Sequence, residues 1–287
     1  MDALILAWAP LLLDALSFVL LLALVALGLV VIFGLLGVIN LAHGELFMLG
    51  AYAVALAVGW GAPFWLAVPV AALFVGAIGW VISAVLIERL AARPLDTILA
   101  TWGLAIALRQ GVVLAFGPQS RSLDAPTGAD VVLGAITYPA YRLQLMALAA
   151  AVLVATLLLF ARTRFGLTAR AAMARPDMAA ALGIDVRRVW RRTFVLGAAL
   201  AGLAGALIAP LISVDPYMGL GFLVPAFLAI LVGGSASLGG VLVGTGIVGG
   251  ADSLLGHWLS PLAAQIVVFF IAVLAIRVRP TGLVRSP

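Results

Sequence analysis

Residues 46–87 read LFMLGAYAVALAVGWGAPFWLAVPVAALFVGAIGWVISAVLI, 42 positions without one Asp, Glu, Lys, Arg or His. A helix that crosses a bilayer needs about 20 mostly apolar residues, so this run is long enough for two crossings if a turn divides it. Gly59-Trp60-Gly61-Ala62-Pro63 supplies the turn, with Trp60 and Trp65 placed for an interfacial belt. The pattern recurs along the chain. Residues 15–42, 143–161, 193–214 and 216–251 are equally free of those five residue types, and 253–276 carry only His257. Of the 287 residues 66% are hydrophobic and 9% charged, against roughly 25% charged in soluble domains. The chain therefore reads as all-α: a polytopic transmembrane helical bundle with broken or re-entrant segments.

Apolar runs and breakers place helices near 12–36, 44–60, 64–90, 96–116, 141–162, 192–212, 221–233, 239–256 and 260–277. That is about nine, with eight to ten open because the first and seventh segments are ambiguous. They form a single transmembrane domain, 1–287. Thirteen of the sixteen basic residues (Arg89, Arg93, the eight from Arg162 to Arg192, Arg277, Arg279 and Arg285) then share one side. The positive-inside rule makes that side cytoplasmic, with the amino terminus outside and the carboxyl terminus inside. The first basic residue is Arg89, so the amino terminus lacks the positive flank of a signal peptide, and "AWA" at 7–9 is discounted as a cleavage site.

Two absences exclude whole classes of chemistry. There is no Cys, which removes disulfides, thiolate zinc sites and cysteine nucleophiles. There is no Lys, so neither a Walker phosphate loop nor a Schiff base can be built. The net charge of +5 follows from arginines beside hydrophobic runs, a topology signal rather than a nucleic-acid surface. No nucleophile and base stand at sensible spacing, so an enzyme is not expected.

The inner segment 162–192, RTRFGLTARAAMARPDMAAALGIDVRRVWRR, is the more informative of the two long polar stretches. The outer one, 117–142, is a Gly/Pro-rich loop with turn chemistry. Within the inner segment Pro176 can start a helix, Asp177 suits its amino-terminal end, and Gly183 can close it in a left-handed cap. Two readings stand: an interfacial connector holding positive-inside arginines, or a docking helix whose low-relief alanines enter another protein's groove.

Polar residues are rare enough in the apolar blocks to be weighed one by one. GVINLAHGELFMLGAY, 37–52, holds Asn40, His43 and Glu45 between the first two helices. His43 and Glu45 are two apart and point in different directions on a helix, so a broken or re-entrant segment is expected rather than a polar stripe. In one reading Asn40 caps the second helix and Glu45 complements its dipole. In the other the break lines a translocation route, as discontinuous Gly-flanked helices do in transporters. GGSASLGG, 233–240, is a second break, and both are expected on the cytoplasmic side. His43, Glu45 and distant His257 are too few, at the wrong spacing, for a metal site. A proton relay through His43 would belong to a secondary transporter. Arg109 is expected to snorkel outward, and Gly197, Gly202 and Gly205 to serve helix packing. Asp215 precedes Pro216 in an outer turn, and a pairing of Asp252 with His257 is conceivable but poorly aligned.

Four blocks in order, NLAHGELFMLGAY, RAAMARPDMAAALGIDVRRV, FVLGAALAGLAGAL and AILVGGSASLGG, resemble the permease subunits of branched-chain amino acid ABC importers, and the similarity extends over essentially the whole chain. The block RPLDTILATWGLAIALRQ, 93–110, with Thr101-Trp102-Gly103, is similar to the urea and short-chain amide branch of that family. The resemblance implies an inner-membrane subunit, not an enzyme, paired with a second related permease as a heterodimer. It also implies two cytoplasmic ATPases that bind the ATP, and an extracytoplasmic substrate-binding protein. No cofactor is implied in this chain. In such importers a permease loop with an Ala-Ala…Gly motif docks on the ATPase. Ala180, Ala181 and Gly183 occupy the matching loop, with Arg175, Asp177 and Ile184 beside them, although the leading Glu of other importer classes is absent. Asn40, His43, Glu45, Thr101, Trp102, Gly233, Gly234, Ser235 and Ser237 are the candidate pathway or gate residues. The alternative is a self-sufficient secondary transporter or channel.

Overall fold

The structure is a computed structural model, and it describes residues 2–37, 40–90, 93–126, 128, 130–134, 136–234, 237–280 and 282–284. Helix α1 spans Asp2–Leu36, α2 His43–Gly59 and α3 Phe64–Ile82, which runs through a π turn, Ser83–Ile87, into the single turn α4, Glu88–Leu90. Next come α5 (Pro94–Phe116), a hairpin of β1 (Asp130–Leu133) and β2 (Ile136–Pro139), and α6 (Ala140–Arg162). The inner segment holds α7 (Arg164–Ala174) and α8 (Pro176–Ala181). The chain finishes with α9 (Val186–Ile208), α10 (Met218–Gly233), α11 (Leu238–Leu255) and α12 (Pro261–Val278). Seven described stretches are long and apolar enough to cross a membrane, and α2 and α10 are shorter apolar helices. Together these match the nine segments expected from the sequence. The chain is a multi-pass membrane protein.

Helix α9 is the hub, packed against α1, α2 and α3. Its glycines make this possible, because helices in lipid associate through close packing rather than through a hydrophobic drive. A Cβ on Gly205 would stand 1.9 Å from the Phe47 carbonyl oxygen of α2. One on Gly202 would stand 2.6 Å from Val75 of α3, and one on Gly197 2.7 Å from the Gly28 carbonyl oxygen of α1. The expected packing role of these three residues holds. Helix α9 also starts six residues earlier than expected, at Val186, because Asp185 caps it by accepting the Arg188 N–H at 3.0 Å.

The outer loop is more ordered than its turn chemistry indicates. Its β-branched residues form the hairpin, with Val131 opposite Tyr138. Tyr138 donates to Asp14 of α1 at 2.8 Å, and Arg142 pairs with the same carboxylate. Burial, and then the Asp14 carboxylate, push the Tyr138 hydroxyl up to about 12, so it remains a donor. Arg121 and Val214 exchange two backbone hydrogen bonds, 2.9 and 2.8 Å, tying this loop to the turn before α10. In that turn Asp215 accepts the Tyr217 N–H at 2.8 Å.

The arginine-rich end is stitched just as firmly. Arg191 of α9 grips Glu88 at two points, 2.6 and 2.8 Å, with its guanidinium 5.7 Å from the Trp80 ring centre. Helix α7 lies across the ends of α1, α6 and α9, and Val31, Phe160, Ala169, Ala172 and Val189 form a small core beneath it.

If glycine packing at α9 carries the bundle, Gly205→Leu destabilises the detergent-purified protein by about 1–3 kcal/mol or more through overpacking. Gly103→Ala, at a helix-interior position with open space around it, leaves the melting temperature unchanged or raises it, since Ala is the better helix former. Thermal unfolding of the two variants side by side checks this.

Candidate functional site

The junction between α1 and α2 is a re-entrant backbone. Helix α2 begins against the middle of α1, where His43 Nε2 donates to the Val25 carbonyl at 3.1 Å. Val25 lies eleven residues before the end of α1, about 16 Å back along its axis at 1.5 Å per residue. The connection thus turns back alongside α1. Backbone groups exposed by such a turn need partners. Asn40 Oδ1 accepts the Ala42 N–H at 3.1 Å, and Thr101 Oγ1 of α5 accepts the Leu41 N–H at 3.3 Å. Asn40 is thus not the cap of α2, a position held by Ala42 without a side-chain cap, but it braces the turn that leads into the helix; Glu45 stands in that helix's first turn.

Glu45 also has a partner that sequence reasoning missed. Arg109 does not snorkel outward; it turns inward and pairs with Glu45, which is 1% exposed. A carboxylate enclosed by apolar helices binds an available guanidinium more strongly than lipid headgroups can compete for it. The Tyr217 ring lies 5.6 Å from that guanidinium, and Tyr52 packs on Phe116 at 5.4 Å. Helix α5 is otherwise only lightly attached, so these contacts fasten it to the body. The missed signal was the co-occurrence of one buried acid and one intramembrane base.

The pair is incompletely satisfied. Among the described residues, contact runs through Arg109 Nη2 and Glu45 Oε1 alone, and Glu45 Oε2 and Arg109 Nε are buried without partners. Asn40 Nδ2 and His43 Nδ1 are in the same condition. His43 and Glu45 face different neighbours, α1 and α5, as their spacing requires. Thr101 is buried in this cluster, whereas Trp102 points away from it and is 57% exposed.

The second break lies elsewhere. Gly44 touches Gly219 at the start of α10, whereas Gly233 and Gly234 end that helix, fourteen residues on and about 21 Å away. Both breaks adjoin the arginine-rich segment: Gly34, near the end of α1 where the first begins, lies against Met173 of α7, and Leu238 after the second packs against the core under α7. Helix α2 itself begins deeper in the bundle, beside Val25 of α1. Gly233 faces Gly240 closely, and Gly234 adopts φ +116° against Gly282. Ser237 serves as the cap of α11, accepting the Gly240 N–H at 3.1 Å. Ser235 lies outside the described residues. Sequence reasoning also missed the tail: Leu283 and Val284 donate to the Val232 and Gly233 carbonyls, both at 3.0 Å.

The inner segment contains the helix that Pro176 and Gly183 predict. Gly183 has φ +83°, and its N–H donates to the Ala180 carbonyl at 2.9 Å. Arg175, Asp177, Ala180, Ala181 and Gly183 are exposed, while Ala179 is buried and Ile184 packs into the core beneath α7. Met178 and Leu182, which sequence reasoning passed over, are 59% and 77% exposed. Their i, i+4 spacing would have placed them on one face. At the outer end Asp252 shares a cleft with Asp14 and Arg142, and His257 packs edge-on against Trp258, 5.3 Å between ring centres.

Comparison with known proteins places these features in a wider group. A family model described as the branched-chain amino acid transport system permease component matches residues 11–276. The chain is 33% identical over 295 residues to the high-affinity branched-chain amino acid transport system permease protein LivH of Escherichia coli K12, covering 92% of this chain and 91% of that one. LivH of Salmonella typhimurium gives 33% over 290 residues with the same coverage. The permease protein BraD of Pseudomonas aeruginosa gives 29% over 283 residues, with 92% of each chain covered.

Removing one partner of a buried pair strands the other charge. Arg109→Leu is expected to destabilise the protein by about 3–5 kcal/mol, and Glu45→Gln in the same chain to recover most of the loss. Denaturant unfolding of both single variants and the double variant measures that coupling.

Proposed function

The chain belongs to the branched-chain amino acid transport system permease family, and from that premise we propose that it is the membrane subunit of an ATP-driven importer. Its family is one of transport proteins rather than enzymes. The solutes are branched-chain amino acids, as named for its relatives, with urea or a short amide the alternative outcome that a transport assay would reveal. The subunit works in an inner membrane beside a second related permease, as a heterodimer. An extracytoplasmic binding protein selects and delivers the solute. Two cytoplasmic ATPases bind the ATP, which this chain, having no lysine for a phosphate loop, does not.

The observation that carries this reading is the construction of α8. A six-residue helix projects Met178 into solvent and ends at exposed Leu182, while Ala179 is buried and Ile184 roots the turn in the packed core at the ends of α1, α6 and α9. Exposed apolar side chains on a rigid, arginine-flanked turn mark a docking surface. Small residues beside them, Ala180 and Ala181, allow close approach of a partner. We assign the surface formed by Arg175, Asp177, Met178, Ala180, Ala181, Leu182 and Gly183 to the ATPase, with Ile184 as its anchor. The segment 162–192 is the docking element of the single transmembrane domain 1–287. Force applied to α8 reaches α9 through Val189, and α9 carries it to α1, α2 and α3. The pathway follows the re-entrant junction, with Asn40, His43, Glu45 and Thr101 along it. Gly233 and Gly234, with Ser237 as the cap beyond them, form the inner gate. Trp102 faces the lipid or the partner permease.

The amino terminus lies outside and the carboxyl terminus in the cytoplasm, together with α7 and α8. Because the chain has no cysteine, Met178→Cys introduces a single thiol. A membrane-impermeant maleimide is expected to label it in inverted vesicles and not in right-side-out ones; the opposite result removes both the orientation and the ATPase contact. In proteoliposomes, leucine uptake should require the ATPases and ATP, whereas uptake by the permease alone down a gradient would support a secondary transporter. Gly183→Val forces a β-branched residue to φ +83°, a strain of roughly 1–2 kcal/mol. Combined with Ala181→Trp, it is expected to lower leucine imported per ATP hydrolysed at least tenfold.

A further inference from the structure

We propose that Glu45 and Arg109 together read the two charges of a zwitterionic solute, the carboxylate receiving its α-ammonium and the guanidinium its α-carboxylate. The inference rests on the reading of this chain as an amino acid permease and assigns the atoms that would distinguish an amino acid from an uncharged solute.

The chain contains its own reference for a purely structural ion pair. Arg191 meets Glu88 through both Nε and Nη2, using both carboxylate oxygens. That forked geometry is what guanidinium and carboxylate adopt when nothing else competes for them. Arg109 and Glu45 meet through one nitrogen and one oxygen, leaving Arg109 Nε and Glu45 Oε2 buried and unpartnered among the described residues. Glu45 is 1% exposed, so its second oxygen does not open onto bulk solvent. Buried polar atoms left without hydrogen bonds are uncommon, and each calls for an explanation. Here two of them flank a single contact, one a donor carrying positive charge and the other an acceptor carrying negative charge.

An α-amino acid carries ammonium and carboxylate on adjacent atoms. It supplies the complement of both atoms at once: its ammonium donates to Glu45 Oε2, and its carboxylate accepts from Arg109 Nε. One buried pair becomes two, so the net charge of the site stays at zero and no charge is stranded in the low-dielectric interior. A solute lacking either charge leaves one member of the pair unanswered, and urea, with neither, gains no charge pairing. Leu49, one turn along α2 from Glu45 and partly exposed, extends an apolar contact on the same face. Asn40 Nδ2 and His43 Nδ1, also unpartnered and buried, leave further hydrogen-bonding capacity at the entry to α2. Binding of this kind is brief, because the internal pair re-forms as the solute leaves.

The test uses the complete complex, with ATPases and binding protein, in proteoliposomes. Glu45→Gln and Arg109→Gln are each expected to lower leucine imported per ATP hydrolysed at least tenfold. If the pair is only a brace, uptake and hydrolysis fall together and the exchange Glu45→Arg/Arg109→Glu restores both; that outcome overturns the proposal, as does unchanged uptake by the single variants. A second measurement uses the wild-type permease pair without binding protein. Leucine is expected to raise its melting temperature more than leucinamide or 4-methylpentanoate, each of which lacks one of the two charges. Equal shifts from the three, or none from leucine, count against the assignment. Wild-type import of urea with no import of any amino acid would instead remove the amino acid as solute, the reading on which the assignment rests. Leucine import by a wild type whose single variants behave identically removes only the role of the pair.

Discussion

Lipid offers no hydrogen bonds, so any place where a helix stops inside a bilayer must be answered by other parts of the protein. Both breaks in this chain obey that constraint, by different means. At the first, Asn40 and Thr101 accept the amides of Ala42 and Leu41. At the second, the carboxyl-terminal tail donates Leu283 and Val284 to the last carbonyls of α10, while Ser237 caps α11. Side chains answer one break and a returning strand of backbone answers the other. The first reaches into the bundle between α1, α5 and α10, and the second stays against the arginine-rich end. A polar solute crossing the bundle needs the kind of environment found at the first: irregular backbone and buried polar side chains with hydrogen-bonding capacity unused.

Close packing at α9 makes that environment possible. Gly197, Gly202 and Gly205 let α1, α2 and α3 approach to backbone contact, and the resulting rigid body fixes where α2 can begin. Helix α5, by contrast, is held chiefly through Arg109, Thr101 and Phe116. A closely packed core thus stands beside one lightly fastened helix, and the glycine contacts do not involve α5. The charge pair then lies at the seam between the two.

Much of this was legible from local pattern. Charge-free runs of sufficient length gave nine apolar segments because the bilayer imposes its thickness on the sequence. Pro176 and Gly183 delimited α8 because one removes an amide that the first turn does not use and the other accepts φ +83° without strain. The spacing of the α9 glycines exposed their packing role for the same reason, as small residues recur on one helical face. What escaped the sequence was long-range. Glu45 and Arg109 are 64 positions apart, and nothing in either neighbourhood selects one as the other's partner; each alone reads as a dipole complement or a snorkelling base. The tail's contact with α10 likewise joins distant segments through backbone atoms, which have no residue signature. Ser237 looked like a pathway hydroxyl because a cap and a pore lining use the same side chain.

These elements form a chain of contacts from α7, in the arginine-rich segment, to the second break. The core under α7 contains Val31 of α1, Phe160 of α6 and Val189 of α9, and Leu238, the first residue of α11, packs against it. Leu238 directly follows Ser237, whose hydroxyl holds the start of α11. Displacement of α7 and α8 therefore bears on the cap of α11 through a single apolar contact. Gly233 and Gly240 are in backbone contact there, so the end of α10 and the start of α11 pack as closely as their backbones allow. The tail is bonded to Val232 and Gly233 at the same place. Side chains at those glycines would hold α10 and α11 apart and loosen that contact. The absence of a Cβ at Gly233 and Gly240 lets the two backbones meet directly, with no flexible side chain between them.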